Sequence, residues 1–363
     1  MQHSRSTRVN KVRAAMVGGG IGGFIGEIHQ MAMRLDNRWN LVAGALSSDQ
    51  TRAMESAEAI GVRGYDSWEE LLEQEKGKVD CIVIVTPNDS HAEIATAALT
   101  SGYHVILDKP MTRTLDEAIA LVKVANSAGT MFAMTYTYTG YPMLREMRRR
   151  IANGDIGRVR TVSVDYRQGW LANPIERDGQ KQAAWRTNPR KSGSGALGDI
   201  GSHAEQLARF TTGLSIEQVR GDVHTLVDGR EVDDHACVQL NMQNGVVGDL
   251  VCSQVCRGER NHVSIRIWGD KGAISWSHDR CDALVFMETD VVETTTYACE
   301  QCNRAPAGHP AGFIEAFANI YRDCADKIQG KDVEIVGAID GLASMKFIDA
   351  VLRSKESNQW EDV

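Results

Sequence analysis

Positive charge is in short supply. The chain's 40 Lys and Arg are outnumbered by 48 Asp and Glu, for a formal net charge of −8. The surplus of cations that draws a protein to nucleic acid or to an anionic membrane surface is missing, so neither is expected as a partner. Long apolar runs are lacking too. Near the front the longest is Cys81–Val85, far short of the ~20 residues a helix needs to cross a bilayer. The first segment carries Arg5, Arg8, Lys11 and Arg13 without an apolar stretch, which predicts a solvated tail rather than a secretory signal. Cysteine is sparse for a disulfide-stapled scaffold, at eight in 363 residues,. Cys299 and Cys302 are spaced C-x-x-C, and Cys252 and Cys256 C-x-x-x-C. A zinc site needs four ligands, and the second pair sits in an alternating apolar stretch. Incidental or structural thiols, no metal and a reducing cytoplasm are the expectations. Internal repeats and low-complexity tracts are absent.

What remains is ordinary globular chemistry, 42% hydrophobic and 24% charged. At ~100–200 residues per domain the length predicts two or three domains. Short apolar runs at 13–17, 41–46, 81–85, 104–107 and 131–135 alternate with helical patterns. One such helix, 115–128, starts with a capping box of Thr114 and Glu117 and repeats apolar residues at Leu115, Ile119, Val122 and Ala125,. Ser67 and Glu70 repeat the capping pattern before Leu71. Strands alternating with helices imply a parallel sheet covered on both faces. The second half changes character. Segments 158–168, 219–227, 236–242, 246–255, 262–269 and 273–277 read as consecutive strands, with turn chemistry at Asn244-Gly245 and Asp270-Lys271-Gly272,. Helices are expected at 198–211, 313–327 and 338–354. The fold class is therefore α/β, with a parallel-sheet domain at 12–135 and an α+β domain at 136–363 built on an open, largely antiparallel sheet.

The first motif is Gly18-Gly19-Gly20-Ile21-Gly22-Gly23. It follows the first strand and opens a helix, the setting in which G-x-G-x-x-G holds a dinucleotide. One glycine permits the tight turn, the next lets backbone approach a pyrophosphate, and the third lets helix and strand pack closely. The helix N-terminus then favours the anion. The alternative is a mobile turn without a ligand. At the end of the second strand an acid selects NAD and a basic site NADP. Here stand Ser47, Ser48 and Asp49, with Arg52 a helical turn on. The absence of Arg or Lys at the strand end itself inclines the reading to NAD and leaves NADP open.

Two further segments share that location. Thr86-Pro87-Asn88 follows one strand and Asp108-Lys109-Pro110 another. In a parallel sheet both emerge at the carboxyl edge, where ligands bind. Lys109 is thus placed near the cofactor, although an exposed lysine is the commonest fate of that residue. The second half offers Asp199 and His203, four apart on an expected helix whose polar stripe also holds Gln206. A carboxylate one turn before an imidazole can orient it and raise its basicity. The alternative is a capping Asp and a core or surface His.

In this order the motifs resemble the Gfo/Idh/MocA oxidoreductases, over about residues 12–350. Segments 138–142 and 308–310 resemble its sugar- and inositol-dehydrogenase branch. The resemblance implies a Rossmann domain followed by an open-faced sheet domain, with the nicotinamide of NAD at the cleft between them. It implies that Gly18, Gly20, Ile21, Gly22, Gly23, Ser47, Ser48, Thr86, Asn88, His91, Asp108, Lys109 and Arg186 contact the cofactor, with Trp185 nearby. Lys109 matches the lysine of the family's E-K-P signature, where this chain has Asp108 for the usual Glu. His203 matches the acid–base histidine and Asp199 its partner.

The expected reaction interconverts a secondary hydroxyl and a ketone on a sugar, inositol or related polyol. His203 would take the hydroxyl proton while Lys109 hydrogen-bonds the same oxygen. Tyr138, Gln168, Trp170 and His309 offer the polar tips and aromatic face that suit a polyhydroxylated ring. Arg177, Lys181, Arg186, Arg190 and Lys191 form a basic stretch, read as a solvated loop or subunit contact, with a phosphate site as the alternative. Two other classes remain open: an NAD-dependent glycoside-cleaving enzyme that oxidises transiently, and a catalytically silent dinucleotide sensor. A bare sheet face would be an aggregation liability, which predicts a homodimer or homotetramer joined through it.

Overall fold

The computed structural model describes residues 11–288, 293–298, 304 and 312–363. Six strands form the first sheet: β1 Val12–Gly18, β2 Trp39–Ala45, β3 Arg63–Gly64, β4 Cys81–Val85, β5 His104–Leu107 and β6 Phe132–Met134. Their order is β3-β2-β1-β4-β5-β6, and every pairing is parallel. The near-continuous apolar runs follow from burial on both faces. Ala14 and Met16 of β1 face one core cluster, whereas Ala15 and Val17 face the other. The helix Leu115–Ser127 begins as expected: the Thr114 hydroxyl accepts from the Glu117 N–H, and the Glu117 carboxylate accepts from the Thr114 N–H.

Nine strands form the second sheet: β7 Val159–Arg167, β8 Ile216–His224, β9 His235–Met242, β10 Val246–Ser253, β11 His262–Gly269, β12 Gly272–Ser277, β13 Ala283–Glu288, β14 Thr294–Tyr297 and β15 Glu361–Asp362. The order is β14-β13-β12-β11-β7-β10-β9-β8-β15. Among the described residues of this sheet only β7 and β10 pair in parallel. The three-residue β9–β10 turn, Gln243–Gly245, places Asn244 and Gly245 at φ of 63° and 73°, the left-handed region that Asn and Gly enter more readily than other residues. The strand expected at 219–227 lies three residues earlier, at Ile216–His224. The N–H groups of Leu226 and Val227 leave the ladder because the Asp234 carboxylate takes them, at 2.8 and 3.0 Å.

The helix Phe313–Ile328 belongs in sequence to the second half but packs on the first sheet. Phe317, Tyr321 and Cys324 join Val12, Met16 and Val83 in one apolar cluster. The Trp39 indole donates to the Tyr321 carbonyl at 2.9 Å, and the Tyr321 hydroxyl meets His29 Nδ1 at 2.7 Å. The expected division at residue 135 therefore assigns to the second domain a helix that completes the first. Among the described residues no helix is long and apolar enough to cross a membrane.

Candidate functional site

A cleft of about 1250 Å³ lies at the carboxyl edge of the first sheet and runs to the second. The glycine loop forms one end. Gly18, Gly19 and Gly22 adopt φ of 81°, 75° and 78°, which other residues rarely tolerate,. A Cβ on Gly20 would stand 2.6 Å from the Leu46 carbonyl oxygen and 2.6 Å from Ser56 Oγ. The close packing of helix on strand falls to Gly26 rather than Gly23: a Cβ on Gly26 would lie 2.3 Å from the Gly19 carbonyl oxygen. Gly23 is instead the N-cap of the helix Phe24–Leu35, whose first turn opens into the cleft with no side chain capping it. These are features a dinucleotide needs: a backbone surface without side chains and free helix N–H groups aimed at an anion.

At the other end two lobes meet. Lys109 follows β5 and donates to Asp199 Oδ1 at 2.7 Å and to the Asp199 carbonyl at 2.8 Å. Asp199 lies in a π-helical turn, Leu197–Gly201, where the Ser202 N–H bonds back to Leu197, five residues earlier. The widened turn presents both the carboxylate and the backbone carbonyl to Lys109. Asp199 Oδ2 accepts from Gln254 Nε2 at 2.8 Å and lies 3.3 Å from Arg186 Nε. Burial acts to raise the carboxyl pKa, but Lys109 and Arg186 outweigh it, and their charges with the bonds from Lys109 and Gln254 hold it well below the usual carboxylate range,.

His203 sits one turn on, in the helix Ser202–Thr212, and faces the same cleft. The expectation that Asp199 orients His203 is corrected: both carboxylate oxygens are committed to Lys109, Gln254 and Arg186. His203 Nδ1 is buried without a hydrogen-bond partner among the described residues. Burial, then the Lys109 charge, depress the imidazole pKa well below its ordinary value against the opposing pull of Asp199, so His203 is neutral near pH 7. Aromatic edges fix the ring instead: Tyr138 and Tyr136 meet it at centroid distances of 5.3 and 6.0 Å, both perpendicular.

Most of the sequence-predicted residues line this cleft. Gly18, Gly20, Ile21, Gly23, Ser47, Ser48, Thr86, Asn88, Asp108, Lys109, Tyr138, Gln168, Trp170, Arg186, Asp199 and His203 do so. Gly22 and His91 do not. His91 is buried, with Nδ1 2.9 Å from the Pro110 carbonyl and Nε2 2.9 Å from the Thr86 carbonyl, so it braces two cleft-edge segments from behind. His309, Cys299 and Cys302 lie outside the described residues. Asp108 accepts from the Thr135 hydroxyl at 2.6 Å. Asp49 caps the helix Gln50–Ile60 by accepting from the Arg52 N–H, which leaves Ser47 and Ser48 at the groove. Arg186 reaches Asp199 and stacks 4.3 Å over Trp185, so it touches the Lys109–Asp199 pair as well as the groove. The basic stretch is not a remote loop, because Lys181, Arg186 and Lys191 all line the cleft.

Several residues at the site were not anticipated. Tyr166 and Asn261 line the cleft, buried Gln254 stands behind it, and the three knit the predicted contacts together. Tyr138 donates to Tyr166 at 3.0 Å, and Tyr166 donates to Asn261 at 2.9 Å. The Gln168 amide donates to Asn261 at 2.7 Å and accepts from Trp170 at 2.9 Å. Burial pushes the Tyr138 phenol up to about 12. The only advance sign of Gln254 was a polar side chain amid the apolar end of a strand.

A parallel sheet with a glycine-loop cradle, joined through a charged cleft to a mostly antiparallel sheet, defines an NAD-binding oxidoreductase of two-lobed design. Residues 12–136 match the family model for the oxidoreductase family with NAD-binding Rossmann fold, and residues 144–275 match the GFO/IDH/MocA C-terminal domain. The chain belongs to the GFO/IDH/MocA oxidoreductases. It is 31% identical to the uncharacterized oxidoreductase YfiI of Bacillus subtilis (strain 168), over 94% of each chain. It is 27% identical to the levoglucosan dehydrogenase of Pseudarthrobacter phenanthrenivorans, over 94% of this chain and 96% of that one. Among solved structures, an inositol dehydrogenase homolog complexed with NAD+ from Azotobacter vinelandii superimposes with a TM-score of 0.93, covers 98% of each chain and is 29% identical.

Proposed function

We propose that the protein is an NAD-dependent dehydrogenase of a secondary alcohol on a sugar, an inositol or a related polyol. The observation that carries this reading is the convergence of Lys109 and Asp199, from separate lobes, beside a buried neutral His203 in the cleft that also holds the glycine loop. Relatives described as a levoglucosan dehydrogenase and an inositol dehydrogenase homolog support the substrate class.

NAD, when bound, supplies the acceptor for the hydride that leaves the carbinol carbon. Gly18, Gly20, Gly23 and the first turn of Phe24–Leu35 are the residues to hold it, with Ser47 and Ser48 at the groove beyond β2. His203 accepts the hydroxyl proton, a role for which a neutral imidazole is required. Lys109 donates to the same oxygen and stabilises its developing negative charge. Asp199 keeps the ammonium in place and is itself kept ionised by Lys109 and Arg186. Trp170 and the Tyr138–Tyr166 pair offer ring faces and edges to a polyol's C–H surface, while Gln168 and Asn261 hold the polar rim.

A spectrophotometric screen of NAD and NADP reduction with inositols, aldoses, anhydrosugars and glycosides tests the reading. Formation of NADH with at least one free polyol is expected. Binding of NADH without turnover across the whole panel would overturn it in favour of a dinucleotide sensor. Release of free sugar from a glycoside with no net NADH would indicate glycoside cleavage.

A further inference from the structure

The glycine loop meets its anion with backbone alone. Residues 18–26 include no lysine or arginine, whereas a dinucleotide diphosphate carries two negative charges. The missing cation stands on the other lobe. Between β7 and the π-helical turn, residues 171–195 reach across to the first lobe: the Asn88 amide donates to the Ser192 carbonyl at 3.0 Å, and Arg113 to the Arg190 carbonyl at 3.2 Å. At the glycine-loop end of this strap stands Lys181, which lines the cleft. Its Nζ lies 3.7 Å from where a Cβ on Gly22 would be. The side chain is exposed and has no hydrogen-bond or ion-pair partner among the described residues.

We propose that Lys181 is a diphosphate ligand for the cofactor, a cation lent by the substrate lobe to a cradle that has none of its own. The proposal rests on the dinucleotide reading of the glycine loop. It makes the strap part of the cofactor site, since the dinucleotide joins the lobe that cradles it to the lobe that carries Lys181. It also explains why an exposed lysine lies against a neutral glycine turn with no carboxylate to pair with. An ammonium beside a diphosphate gains a charge-assisted bond that is screened by salt.

The test uses the full chain and NADH fluorescence titration. Lys181→Met should raise the NADH Kd about two- to fivefold, the value of a solvent-accessible ion pair, and flatten its dependence on ionic strength. Competition by ADP-ribose, which keeps the diphosphate, should weaken by the same factor, and competition by adenosine should not change. Lys181→Arg should restore most of the affinity. An NADH Kd within twofold of wild type in Lys181→Met, or equal weakening of adenosine, would overturn the proposal. Absence of NADH binding by the wild type would instead reject the dinucleotide reading, a separable outcome. The side chain is exposed, so an unchanged urea midpoint shows that the variant remains folded.

Discussion

Replacing Asp199 by asparagine tests the centre of the site with almost no change of shape. The amide oxygen can still accept from Lys109, but the other position becomes a donor facing the Gln254 amide and the Arg186 guanidinium, both donors. Removing one partner of a buried ion pair costs about 3–5 kcal/mol. Lys109 and Asp199 retain 13% and 18% side-chain exposure, and one acceptor survives, so the loss in Asp199→Asn should be about 2 kcal/mol. Its pH course follows from the depressed carboxyl pKa. An aspartate in the unfolded chain titrates near ~4. The wild-type advantage is therefore fully present above that pH and declines as pH falls toward the folded value. Urea unfolding of both proteins should give the same difference at pH 7.5 and pH 5 and a smaller one below about pH 4. Turnover should fall about a hundredfold as the Lys109 ammonium keeps its acceptors but loses the negative charge that steadies it, with the NADH Kd nearly unchanged. A stability difference under about 0.5 kcal/mol at pH 7.5, or one that grows on acidification, would refute the reasoning.

His203→Gln should lower turnover at saturating substrate by about 10²–10⁴-fold while leaving the NADH Kd within about twofold; stopped-flow and equilibrium titration read the two, and near-wild-type turnover would remove His203 from the proton path. In the wild type, kcat/KM should show no acid limb near the ordinary imidazole value of about 6.5, because burial and Lys109 keep His203 neutral below that pH,. A limb at that pH that disappears in His203→Gln would contradict this. Gly26→Ala should lower stability by about 1–3 kcal/mol, since its Cβ meets rigid backbone of the glycine loop,; an unchanged melting temperature would show that helix and strand do not pack as described.

Much of the first lobe was legible because its signals are local. The apolar runs at 13–17, 41–46, 81–85 and 104–107 end at Gly18, Ser47, Thr86-Pro87 and Asp108, and the capping box at Thr114 and Glu117 marks the start of its helix to the residue. The pair β13 and β14 escaped notice because Ala283–Glu288 and Thr294–Tyr297, the last two strands at one end of the sheet, are half-buried with little alternation. The helix Pro142–Ala152 was overlooked despite its buried Met143, Leu144, Met147 and Ile151, since four arginines occupy its other face. Asp199 and His203 do lie in one continuous helical stretch, Asp199 in its π-helical turn and His203 in the α-helix that follows, but they are not partners. The inference assumed 3.6 residues per turn, and a π-helical turn over Leu197–Gly201 breaks that period at Asp199 itself,. Lys109 and Asp199 are ninety residues apart, and no pattern within either segment announces the other.

The returning helix Phe313–Ile328 has a consequence for biosynthesis. The last strand of the parallel sheet leaves the ribosome at Met134, yet Phe317, Tyr321 and Cys324, which seal that sheet's outer layer, are translated only after strands β7 to β14 of the second sheet, through Tyr297. The nascent amino-terminal half must wait with part of its oily surface bare, so chaperone dependence should concentrate in that interval of synthesis.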